Sequence, residues 1–211
     1  MFELLKVVWE DSKIKVEVNS WILVAILVLL IIVPLIIKKL KKKVIPYLNP
    51  VEIEANIGGH KCKFKIIRNA ENLYIANRIY IELVTRKAAI EIDPDCDVIA
   101  EVYDSWYKLF GIIRDEIKGV PGVYLENKDN SSSELIQLTI KILNEGLRPH
   151  LTKYQADFRK WFVKAQNEKP DVQPQVVQRD YCKYDELIQD LRNVNSILLN
   201  YAEELNKFIF G

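Results

Sequence analysis

The sequence predicts a single-pass membrane protein whose cytosolic domain is mainly α-helical, with one β-hairpin near the membrane. Three observations carry that class. Residues Trp21 to Ile37 read WILVAILVLLIIVPLII, seventeen positions without a charge, followed at once by KKLKKK. Residues 51–67 alternate apolar and polar around a Gly-Gly pair, and from residue 70 onward the apolar residues recur at helical spacing.

At about 1.5 Å of rise per residue the apolar run makes roughly 26 Å of helix, enough for a bilayer core once its flanks snorkel to the interface. Lysines retained on the cytoplasmic side orient it, with residues 1–20 outside the cell and residues 44–211 inside. The order of the charges opposes a cleavable signal peptide, which carries its positive residues before the apolar core and small residues after it. Within residues 21–43, Trp21 suits an interface, while Ala25, Leu29, Ile32 and Pro34 are the candidate span or pore positions. Pro34 either kinks the helix or marks where it unwinds into the lysines. Ala25 is the run's one small residue, so packing of spans would be loose and Leu/Ile-based.

The tail before the run has apolar residues at Phe2, Leu4, Leu5, Val7, Val8 and Trp9. It reads either as a segment on the outer face or against copies of itself, or as a disordered stub. The 168 residues after Lys43 suffice for one domain. Eight of the 30 basic residues precede residue 44, leaving 22 against 25 acidic ones. Such a body does not bind nucleic acid over its whole surface, so phosphate recognition would need a local patch. Cys62, Cys96 and Cys182 are too far apart for a zinc site and read as reduced thiols.

In VEIEANI-GG-HKCKFKIIR the two-residue turn sets Ile57 against His60, Ala55 against Cys62, Ile53 against Phe64 and Val51 against Ile66 on one face. Glu54 then faces Lys63, and Glu52 faces Lys65, on the other. Asn69 caps a helix over about 70–87. Residues 88–93 are open between helix end and strand. Val98, Val102, Trp106, Leu109, Ile113 and Ile117 mark a second helix closed by Gly119, and Ser133 starts a third that Gly146 stops. A fourth opens at Arg148-Pro149, with Leu151, Tyr154, Phe158, Trp161 and Ala165 on its stripe. Residues 167–178 form an exposed connection. The last helix, about 184–210, carries Leu187, Leu191, Val194, Leu198, Tyr201, Leu205 and Phe208, the seam of a coiled coil or of a bundle helix.

No enzyme signature, catalytic residue, cofactor motif or metal set emerges. Asp93 to Asp97 (DPDCD) lacks calcium-loop spacing and reads as an acidic helix start. The candidate ligand site is the fourth helix: Arg148 and His150 at its N-terminus for a phosphate, Lys153, Lys160 and Lys164 along one side, and Trp161 for stacking on a base of an oligonucleotide. Against this stands a plainer reading in which the aromatics are core and the lysines a solvated face. The span itself is either the wall of an oligomeric pore gated by dewetting or a tether for an adaptor that presents the domain to a protein partner.

An N-terminal apolar span, lysines, a hairpin and a helical domain containing HLTKYQADFRKWF resemble the small membrane effectors of bacterial antiphage defence, in particular the Hailong type. The resemblance implies a homo-oligomeric pore in the bacterial inner membrane that depolarises it. It also implies a nucleotidyltransferase-like partner whose oligonucleotide product holds the effector inactive.

Overall fold

The computed structural model describes residues 5–10, 13–18, 20–44, 50–57, 59–126 and 132–211, with side chains at Trp21, Val24, 26–37 and from residue 50 onward within those ranges. The chain divides into two compact units, Met1–Tyr47 and Leu48–Gly211.

In the first unit, β1 (Leu5–Glu10) pairs antiparallel with β2 (Lys13–Val18), Leu5 opposite Val18 and Glu10 opposite Lys13. The tail is thus a hairpin, and the described chain holds two hairpins where the sequence predicts one. Helix α1 covers Ser20–Val44 and continues through Pro34, so it does not unwind at that residue. Among the described residues, however, no helix is long and apolar enough to cross a membrane. The structure therefore corrects both the single-pass fold class and the placement in the bacterial inner membrane with the N-terminus outside. The predicted span position Ala25 lies outside the described side chains; Trp21, Leu29, Ile32 and Pro34 are exposed.

The second unit begins with β3 (Pro50–Ile57) and β4 (His60–Ile67), paired in the register expected from the alternation, with Gly59 at a φ of 80° in the turn. Ile53, Ala55, Ile57 and Ile66 are buried. On the outer face Lys63 bridges Glu52 at 2.5 Å and Glu54 at 2.8 Å, and Glu54 also pairs with Lys61. Those two lysines hold the Glu54 carboxyl down to about 2.

Helix α2 (Ala70–Val84) starts at Asn69, whose side chain accepts the Asn72 amide at 2.7 Å. Residues 85–98 form turns without a strand, and α3 (Ile99–Lys118) follows. Val98 at its start offers no capping side chain; instead the buried Gln178 accepts the Ile99 amide at 3.0 Å and donates to the Asp97 carbonyl at 3.0 Å. A residue 79 positions away thus acts as the cap, which local spacing does not reveal. The short α4 (Val123–Glu126) precedes α5 (Ser133–Lys141).

The sequence predicts a stop at Gly146 and a new helix after it. The structure shows helix without a break from Ser133 to Glu168, passing through wide π turns at Ile142–Leu147 and Leu151–Gln155, with α6 (Arg148–His150) between them and α7 (Ala156–Glu168) after them. Pro149 gives the reason. A proline inside a helix removes one amide and collides with the carbonyl four residues earlier, and a widened turn absorbs the collision. The Arg148 amide accordingly bonds the Leu143 carbonyl, five residues back. Gly146 packs toward Ile197: a Cβ there would lie 3.4 Å from Ile197 Cγ2, at van der Waals contact.

After α8 (Pro174–Val177), α9 (Tyr184–Phe210) carries all seven predicted seam residues buried in the unit's own core. The seam is that of a bundle helix. Within it, buried Asn195 accepts the Ile92 amide at 3.2 Å and donates to the carbonyls of Ala88 at 2.8 Å and Ile90 at 3.1 Å, so one side chain gathers the 85–98 turns.

Removing the Asn195 amide strands these backbone groups away from water. Asn195→Leu is expected to destabilise the second unit by about 2–4 kcal/mol, the cost of several unpaired buried groups. Urea denaturation of the full chain measures it, and a change under about 1 kcal/mol would show that the turns do not depend on this side chain.

Candidate functional site

One side of α3 packs into the core through Val102, Trp106, Leu109 and Ile113. Tyr107, Phe110, Gly111 and Arg114 share another side, at the i, i+3, i+4, i+7 spacing that aligns residues along a helix. Arg148, Leu151 and Thr152, from the segment between and within the π turns, face them. Together these residues line an open cleft of about 330 Å³.

Arg148 is oriented on two sides. Its Nε donates to Asn144 Oδ1 at 3.1 Å, and its guanidinium lies 4.9 Å from the centroid of the Phe110 ring. Stacking on the ring and one hydrogen bond fix the plane of the group and leave its terminal nitrogens without a partner among the described residues. Arg114 is exposed and has no ion-pair or hydrogen-bond partner among the described residues. None of the described residues that line the cleft is a carboxylate. Two guanidinium groups, the hydroxyls of Tyr107 and Thr152, and the Tyr107 and Phe110 rings suit an anion next to an apolar group.

The segment bearing Arg148 is pinned from below by His150. The side chain of His150 is wholly buried; Nδ1 lies 2.7 Å from Asp190 Oδ2 and Nε2 lies 3.0 Å from the Tyr103 hydroxyl. The consistent assignment is a neutral ring that donates from Nδ1 to the carboxylate and accepts at Nε2 from the tyrosine. Burial pushes its pKa below the ordinary value, outweighing the pull of Asp190 in the other direction. The rings of Tyr103, Trp106 and Tyr154 surround it at centroid distances of 5.1–5.9 Å. His150 is therefore a core residue that ties this segment to α3 and α9.

The other sequence candidates are dispersed. Lys153 donates to Glu186 at 2.7 Å and sits over the Tyr154 ring; the carboxylate raises its pKa. Lys164 pairs with Glu168 at 3.7 Å, and Lys160 points to solvent. Trp161 is half-buried against Tyr181 and Phe158, with centroids at 5.1 and 6.0 Å. Of the six, Arg148 alone lines the cleft. The α3 contributors escape the sequence reading, although a polar-aromatic row beside the apolar stripe, with a glycine in mid-helix, is a legible signal.

The acidic run also has internal partners: Asp97 pairs with Lys87 at 2.9 Å, Asp95 pairs with Arg179, and the Asp95 amide donates to Asp93 Oδ1 at 2.9 Å. It closes a turn and does not start a helix, α3 beginning only at Ile99. Among the described residues no group of three His, Cys, Asp or Glu side chains is placed to hold a metal.

The buried neutral His150 makes stability depend on pH. Its folded pKa lies below the ordinary 6.5, so the unfolded chain takes the proton more readily. The contribution is complete above about 6.5 and is lost as pH falls toward the folded value. Between about pH 7 and 5 the urea midpoint is expected to fall, and to fall less steeply in His150→Gln; equal slopes would show that His150 is not the group responsible.

No protein-family model, curated protein or solved structure matches this chain.

Proposed function

We propose that this protein is a non-enzymatic binding and assembly module: copies associate through α1, and the Leu48–Gly211 unit receives an anionic ligand in the Arg114–Arg148 cleft. The observation that carries the reading is the surface of α1. From Ile26 to Ile37 all eleven non-proline residues are apolar, and each is 44–68 % exposed. A contiguous apolar surface of this extent marks an interaction site. Because twelve consecutive positions cover every face of a helix, a one-sided groove on another protein would bury one face of it, whereas in a bundle of like helices each member buries apolar surface against more than one neighbour. The occupant proposed is therefore a second copy of the chain.

The conducting role expected from the sequence needs residues 21–37 to span a bilayer, and among the described residues no helix is long and apolar enough to do so. What remains of the expected partners is their chemistry. The oligonucleotide product of a nucleotidyltransferase-like partner is a polyanion, and the ligand proposed for the cleft shares its negative charge.

Sedimentation velocity of the full chain tests the assembly. A discrete oligomer is expected, shifting to monomer in Leu29→Lys/Ile32→Lys with the helical signal of the second unit unchanged. A monomeric unsubstituted chain would overturn the proposal and favour an adaptor whose α1 meets a different protein. An oligomer indifferent to the double substitution would overturn α1 as the contact.

A further inference from the structure

Gly111 is in the middle of α3, where glycine is less favourable than alanine. A glycine inside a helix often answers to packing, and a Cβ at Gly146 would stand 3.4 Å from Ile197 Cγ2. Gly111 does not: a Cβ there would meet nothing within 4 Å. It lines the cleft, between Phe110 and Arg114 along the chain. The missing side chain leaves the floor of the cleft bare and lets a ligand approach the helix backbone.

We infer that the cleft is a binding site for a small phosphomonoester carried on a flat ring, with the phosphate at Arg114 and Arg148 and the ring over Gly111 between Tyr107 and Leu151. This rests on the reading of the cleft as the ligand site and adds the ligand's class. The two guanidinium groups, with no carboxylate among the lining residues, match a dianion better than a single negative charge. The face of Phe110 is already taken by Arg148, so the apolar part of the ligand meets the half-exposed Tyr107 ring. The Tyr107 hydroxyl is only loosely held by Gln155 at 3.4 Å and is available to turn toward the ligand. A cleft of about 330 Å³ holds a one-ring molecule and not an extended chain.

Isothermal titration of the full chain with phenyl phosphate tests the inference, with inorganic phosphate, phenyl sulfate and benzoate as comparisons. Phenyl phosphate is expected to bind with a Kd of about 1 mM or tighter, and about tenfold more tightly than inorganic phosphate, which lacks the ring. Its affinity should fall about fourfold from about pH 7.5 to 5.5 as the second phosphate proton, with a pKa near 6, returns; that of phenyl sulfate should not. Arg114→Gln and Arg148→Gln should each weaken binding about tenfold or more, the loss of a charge-assisted hydrogen bond. Lys164→Gln should leave it unchanged. Gly111→Leu fills the floor and should abolish binding while the melting temperature stays equal or rises, which separates blocking from misfolding. Phenyl sulfate or benzoate binding as tightly as phenyl phosphate, with the same dependence on both arginines, would overturn the phosphomonoester and leave the anion site. Titration insensitive to Arg114, Arg148 and Gly111, or no heat with any of the anions, would overturn the site as well.

Discussion

Proline inside a helix imposes a geometric demand that the chain must meet somewhere, and at Pro149 the second unit meets it by widening the turn before it. The turn before Arg148–His150 is π-helical and absorbs the clash that proline would otherwise cause, a second π turn follows at Leu151–Gln155, and the rod from Ser133 to Glu168 stays continuous. Residues two apart on a regular helix stand about 200° from each other. Two residues apart, Arg148 is set at the surface over Phe110 while His150 enters the core between α3 and α9. The cleft exists because these two side chains go opposite ways.

The rest of the unit holds that segment in place. Helix α9 contributes Asp190 to His150, the seam that fills the core, and Asn195 to the turns before α3. Helix α3 contributes Tyr103 and Trp106 to the pocket of His150 and Tyr107, Phe110, Gly111 and Arg114 to the cleft. One helix thus presents a buried stripe to the pin and a neighbouring stripe to the ligand site. Preorganisation of this kind places the cost of ordering the cleft in the fold and not in binding.

How much of this is readable in the sequence depends on how local each cause is. The β3–β4 register, the Asn69 cap and the limits of α9 follow from period, turn residues and capping, and the structure has them as expected. Distant causes are not readable in this way. Gln178 capping α3 and Asn195 gathering the 85–98 turns join residues far apart in the chain. Gly146 and Pro149, taken together, spell helix end and helix start in any local code; only packing against Ile197 and the wide turns reconcile them with a continuous helix. At the site, Arg148 stands out in the sequence for its place near an expected helix start, yet that place is a helix interior, and His150 belongs to the core. The apolar run at 21–37 is legible as a sequence, yet among the described residues it does not make a helix long and apolar enough for a bilayer, and its exposed surface is the observation that remains.

Two helices build the cleft, so its occupation is read most directly by hydrogen–deuterium exchange of the full chain with and without saturating phenyl phosphate. Slowed exchange should be confined to peptides covering residues 107–114 and 144–155, because ligand contact and the wide turns meet there. Protection centred on residues 156–168, or none at these two segments, would show that the ligand binds elsewhere or not at all.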